Sequence, residues 1–136
     1  VCRWTNVQVI NNKTPFTSEF SPNQRFDIPI AHGDGRYVAD SKILKELKKK
    51  NQIVLRYICD NPNGSTDLIA GICNEEGNVM GMMPHPERAS ESILSIDRNR
   101  NNDSSSNDSS SNDSNSNDAI TIFRSLVSNL RQKAIA

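Results

Sequence analysis

Gly81-Met82-Met83-Pro84-His85-Pro86-Glu87-Arg88 closes a strand-like run from Val79 to Met83 and sets an imidazole and a carboxylate two residues apart, with a proline on each side of His85. Proline fixes its own φ and pushes the residue before it toward extended geometry, so His85 stands in a stiff, non-helical segment. A rigid loop holding a base and an acid at the carboxyl end of a strand suits a catalytic dyad. Glu87 can orient the imidazole and stabilise its protonated form, while His85 activates a nucleophile. The plainer alternative is a surface turn with a solvated histidine.

Working outward, the chain reads as a mixed α/β piece. Trp4 to Ile10 alternates, with Trp4, Val7, Val9 and Ile10 set against Asn6 and Gln8, and is predicted to be a strand. Asn11 to Pro15 is a turn, and Phe26 to Ile30 a second short strand. Asp40 is placed to cap a helix through Lys50, with Ile43, Leu44 and Leu47 on its apolar side and Lys48, Lys49 and Lys50 at its carboxyl end. Ile53 to Ile58 is a strong strand. Leu68 to Cys73 and Val79 to Met83 flank Asn74-Glu75-Glu76-Gly77-Asn78 and read as a hairpin. Ala119, Ile120, Phe123, Leu126, Val127 and Leu130 recur at helical spacing after a capping Asp118, a stripe expected to lie in the core.

Between the last two elements, Asn-Asp-Ser-Ser-Ser repeats from Asn102, and no residue from Asp97 to Asp118 is apolar. Such a segment has nothing to offset its ordering entropy and is expected to be a disordered insertion over about residues 98–118. Its spaced aspartates lack the glycine-bearing loop and closing glutamate of a calcium site.

The chain has 136 residues, with sixteen basic and sixteen acidic side chains. That balance gives no global field toward nucleic acid or a membrane surface. Cys2, Cys59 and Cys73 are odd in number and widely spaced, which fits free thiols in a reducing compartment. No apolar run approaches the roughly 20 residues needed to cross a bilayer. His32, His85 and the cysteines are not at metal-ligand spacing, so no metal site is expected.

The Pro-His-Pro-Glu context resembles that of the class I glutamine amidotransferases. Val1-Cys2-Arg3-Trp4, Pro29-Ile30-Ala31-His32-Gly33-Asp34-Gly35-Arg36-Tyr37, Asn61-Pro62-Asn63-Gly64-Ser65, and Ile69-Ala70-Gly71 running through Gly77-Asn78-Val79 to Glu87 look like the glutaminase subunits and domains of phosphoribosylformylglycinamidine synthases. The resemblance covers residues 1–97 and the last helix. It implies a three-layer, flavodoxin-like α/β domain with a central, mostly parallel sheet and helices on both faces. The 136 residues would supply its C-terminal half, and a first residue of Val set inside a strand fits a fragment. Alone, such a piece is expected to leave sheet edges uncovered and to be poorly stable.

By this resemblance His85 and Glu87 are the last two members of a Cys-His-Glu triad that hydrolyses L-glutamine through a γ-glutamyl thioester. The nucleophile in the family sits on a tight strand-to-helix elbow earlier in the chain. Gly71-Ile72-Cys73-Asn74 imitates half of that elbow, but Glu75 stands where a small residue is needed and Glu76-Gly77-Asn78 turns back into a strand. Cys73 is therefore read as a buried hairpin cysteine, and the nucleophile is expected upstream of Val1. The alternatives are a hydrolase using Cys73 and a non-catalytic, degenerate module that binds or regulates a synthetase.

His32 and Gly33 are candidate substrate contacts beside the glutamine pocket, or else parts of a strand-end turn. Asn61 to Ser65 is by itself turn chemistry, and Arg88 is left without an assigned role. The resemblance further implies a synthetase subunit or domain as partner and a cytoplasmic location. No cofactor is expected in this chain. Gly33-Asp34-Gly35 lacks the Gly-x-x-x-x-Gly-Lys pattern, so ATP and Mg belong with the synthetase.

Overall fold

A computed structural model describes residues 2–31, 33, 35–89 and 118–135. The candidate contact His32 and residues 98–117 of the expected insertion lie outside the described residues.

The strands are β1 (Cys2–Val9), β2 (Arg25–Ala31), β3 (Ile53–Ile58), β4 (Ile69–Cys73) and β5 (Met80–Met82), and the helices α1 (Ser41–Lys49) and α2 (Ile120–Ile135). Each expected strand and helix is present; the strands and α1 lie within two residues of their predicted bounds, and α2 continues past Leu130 to Ile135. Alternation drives the strands: Thr5, Val7 and Val9 of β1 and Phe26, Ile28 and Ile30 of β2 are buried, while their neighbours are not. The inward set of β1 differs from the expected one. Trp4 lies at the border of the core and Ile10 is exposed, because Thr5 takes the inward position that the pleat assigns to it.

The five strands form one sheet in the order β2-β1-β3-β4-β5, and every pairing is antiparallel. Among the described residues the sheet is thus antiparallel, unlike the mostly parallel one expected for an intact domain. Only β4 and β5 are joined by a short hairpin turn; β1 pairs with β3 across the intervening β2 and α1.

Phe26, Ile28, Ile30, Leu55 and Tyr57 are fully buried in the main core, which Ala119, just before α2, and Ile122 of α2 also enter. A second cluster gathers Leu47 of α1 with Ile53 and Ile69. Asp40 caps α1 as expected, its Oδ1 accepting from the Ile43 N–H at 2.8 Å.

Of the stripe expected in the core, Ala119 is buried and Ile120 and Leu126 are half-buried, but the rest faces outward. Phe123, Val127 and Leu130 are 39%, 47% and 59% exposed. The inward face is the adjacent one, where Ile122 and Ser125 are buried. Ser125 Oγ accepts from the Glu19 N–H at 3.1 Å, and Asn129 donates to Ser18 Oγ at 2.7 Å. Polar contacts to the loop after β1 set the rotation of this helix. Asp118, expected as its cap, accepts a hydrogen bond from Gln24 at 2.9 Å through Oδ2.

One contact reveals the shape of the sheet. β2 and β5 are its opposite edges, yet His85, three residues after β5, donates its N–H to the Pro29 carbonyl of β2 at 2.8 Å. Four strand spacings in a flat sheet span about 19 Å, and three extended residues reach only about 10 Å. The sheet must therefore curl until its two edges approach.

Candidate active site

The curled edges bring the loop after β5 against β2. Pro29 suits an edge strand, because it has no N–H to donate to a further ladder and its carbonyl remains available. That carbonyl holds the His85 N–H. The chain then enters a short 3₁₀ turn, Pro86–Ala89, with proline at its first position and the Arg88 N–H donating to the His85 carbonyl at 3.2 Å. Pro84 and Ala89 are buried on either side, so both ends of the loop are anchored in the core.

Within this frame His85 Nδ1 lies 2.7 Å from Glu87 Oε1. A carboxylate at Nδ1 favours the tautomer with its proton there, which leaves Nε2 as the basic nitrogen. The His85 side chain is 31% exposed and that of Glu87 59% exposed. Partial burial pushes the Glu87 carboxyl up, but its own main-chain N–H, the hydrogen bond and charge of His85, and the charge of Arg88 outweigh burial. The net effect holds it below the ordinary glutamate value of 4.5. The pair can take a proton from a nucleophile and stabilise the resulting imidazolium.

A profile of the CobB/CobQ-like glutamine amidotransferase domain matches residues 1–128. The chain belongs to this family. Among solved structures it is similar to PurLQS from Thermotoga maritima, with 38% sequence identity and a TM-score of 0.70. That match covers 96% of this chain and 48% of the other, so the chain spans about half the length of this relative.

In this amidotransferase chain the cysteines fall as the sequence reading expects. Cys73 ends β4 and is buried, and burial pushes its thiol pKa up, only partly countered by a main-chain hydrogen bond. Beyond it the chain reverses: Asn74 Oδ1 accepts from the Val79 N–H at 3.0 Å, the Gly77 N–H donates to the Asn74 carbonyl at 3.1 Å, and Gly77 takes φ +70°. This is a hairpin turn and no elbow. Cys2 and Cys59 are exposed.

Gly33 is exposed and has open space where a Cβ would stand. Nearby, Arg36 and Tyr37 share a cavity of about 320 Å³ with Ile69–Ile72 of the β4 region and Gly81, Met82 and Met83. The wall at Met83 continues two residues later into His85.

Two parts of the site escaped the sequence reading. One is Pro29, whose position on an edge strand was hidden because strand order is not written in local pattern. The other is the set of bonds made by Asn61 to Ser65, a segment that shares the family resemblance but by itself reads only as turn chemistry. Its Asn63 and Ser65 reach across to Gly35 and Tyr37. Two asparagines and a serine within five residues were the available signal, since such side chains readily bond main-chain groups. Among the described residues, no helix is long and apolar enough to cross a membrane.

Proposed function

We propose that this chain is the C-terminal half of the glutaminase of a phosphoribosylformylglycinamidine synthase, within a three-layer, flavodoxin-like domain. The observation that carries the reading is the 2.7 Å contact between His85 Nδ1 and Glu87 Oε1 in a chain of the amidotransferase family. Likeness to PurLQS at 38% identity over 96% of the chain supports the purine-biosynthetic assignment.

The proposed nucleophile is an elbow cysteine N-terminal to these residues in a longer protein. His85 takes its thiol proton, the thiolate adds to the glutamine carboxamide, and the proton passes to the departing ammonia. Water then hydrolyses the γ-glutamyl thioester to glutamate, with His85 as general base. Glu87 holds the ring and stabilises its cationic form. Ammonia passes to a synthetase subunit or domain, which carries ATP and Mg and makes the amidine from formylglycinamide ribonucleotide. Buried Cys73 has neither the elbow nor the ionisation for this role, so the 136 residues alone should not turn over glutamine.

The test uses the longer protein with its synthetase. His85→Ala should lower glutamine-dependent synthesis by about 10²–10⁴-fold, the range for losing a general base. Synthesis driven by added ammonia should continue. Undiminished glutamine hydrolysis in this variant would refute the reading.

A further inference from the structure

The 61–65 loop uses more hydrogen-bonding capacity than a turn requires. Asn61 already closes it, with Nδ2 donating to the Ser65 carbonyl at 2.9 Å and Oδ1 accepting from the Ser65 N–H at 3.0 Å. Asn63 makes a second set of bonds, and those of its Nδ2 leave the loop. Its Nδ2 donates to the Gly35 carbonyl at 2.7 Å and to the Tyr57 hydroxyl at 3.4 Å. Its Oδ1 accepts from Ser65 Oγ at 2.8 Å. Ser65 Oγ in turn accepts from the Tyr37 N–H at 3.1 Å, and the Thr66 N–H donates to the Tyr37 carbonyl at 2.8 Å.

This is a chain of bonds with a rigid base. Tyr57 is fully buried, Ser65 is 3% exposed, and Gly64 takes φ +74°, a conformation that glycine adopts without strain. The far end of the chain holds Gly35, Arg36 and Tyr37. That short segment follows β2 in the chain, whose Pro29 holds the dyad loop, and its Arg36 and Tyr37 line the same cavity as Met83, two residues before His85. Pro29 is thus bonded to the dyad loop, and Gly35 and Tyr37 are bonded to the 61–65 loop.

We infer that Asn63 and Ser65 are positioning residues for glutamine: they hold the Gly35–Tyr37 segment at the distance from the His85–Glu87 loop at which substrate binds. The inference rests on the glutaminase reading above and adds to it a determinant of KM outside the triad. Asn63 and Ser65 act through the main chain of residues 35–37 and touch no reacting atom.

Three variants of the longer protein test it. Asn63→Asp keeps the oxygen that serves Ser65 but sets a second carboxylate oxygen against the Gly35 carbonyl. Ser65→Ala removes the link to the Tyr37 N–H, and Ser65→Thr restores a hydroxyl there. Asn63→Asp and Ser65→Ala should each raise KM for glutamine about tenfold, the scale of one lost hydrogen bond. The turnover number should change less than about twofold, as for a loss of binding alone. Ser65→Thr should return KM to the parent value. An unchanged KM, or a fall in turnover without a KM change as partial unfolding produces, overturns the inference, and so does a failure of Ser65→Thr to rescue. If the parent protein itself does not hydrolyse glutamine, the glutaminase reading fails and takes the inference with it. If the parent is active and only the KM prediction fails, the glutaminase reading stands alone.

Discussion

The N–H of His85 donates to the carbonyl of Pro29 at 2.8 Å, joining the loop beyond one edge strand to the other edge strand of the same sheet. This single bond depends on the curl of five strands, and it sets where the imidazole stands. Glu87 then needs only local geometry to reach it. The dyad is therefore local in its pairing and global in its placement.

The Glu87 carboxyl should titrate below 4.5 in the folded chain, because hydrogen bonds and the charges of His85 and Arg88 outweigh its partial burial. A depressed folded value means that ionised Glu87 stabilises the fold above the ordinary range. That contribution disappears as pH falls through the folded value. A side-chain NMR titration checks this, and His85→Ala should move the midpoint upward. A midpoint at or above 4.5 in the parent chain contradicts the assignment.

Native alkylation should discriminate the thiols. Cys2 and Cys59 are exposed and Cys73 is buried with its ionisation suppressed. Iodoacetamide at neutral pH should modify the first two and spare Cys73 until denaturant is added, since only thiolate reacts. Mass spectrometry of the digested protein reads the sites. Fast native labelling of Cys73 would reopen it as a nucleophile.

Gly71 faces Met82 across the β4–β5 pair, and a Cβ there would stand 3.2 Å from both Met80 Cε and Met82 Cβ. Gly71→Ala should cost about 1–3 kcal/mol through overpacking. Gly77→Ala meets no atom but inherits φ +70°, and the left-handed backbone should cost about 1–2 kcal/mol. Urea unfolding of both variants measures the losses. A neutral result at Gly77 would mean that the turn changes its geometry.

Tyr57 should resist ionisation, with burial pushing its phenol up to about 12 despite the opposing hydrogen bond from Asn63. A raised folded value means that the neutral phenol stabilises the fold fully below the ordinary 10, and this is lost as pH rises from there toward 12. Ultraviolet titration should show this tyrosine ionising late and together with unfolding. Tyr57→Phe should remove that late step.

Much of the local structure was legible in residues alone. The alternation of Phe26, Ile28 and Ile30, the capping aspartate at position 40, and the Asn74 to Gly77 turn each encode an element through neighbours a few residues away. The same holds for the rejection of Cys73, because a strand that reverses at Glu75 and Glu76 cannot enter an elbow helix. The His85–Glu87 pair was visible for a related reason: two prolines and a two-residue spacing leave the loop few conformations.

What the chain could not disclose locally are relations between segments far apart in sequence. Periodicity identified which residues of α2 share a face, but the rotation of that face was set by Glu19 and Ser18, more than a hundred residues earlier. The antiparallel order, the curl that carries His85 to Pro29, and the reach of Asn63 to Gly35 are of the same kind. The sequence by itself determined the strands, the turns and the acid–base pair, because short-range sterics and local hydrogen bonds suffice for them. Only the tertiary structure decided where that pair stands and which residues meet Gly35 and Tyr37, because those positions are solutions for the whole packed sheet at once.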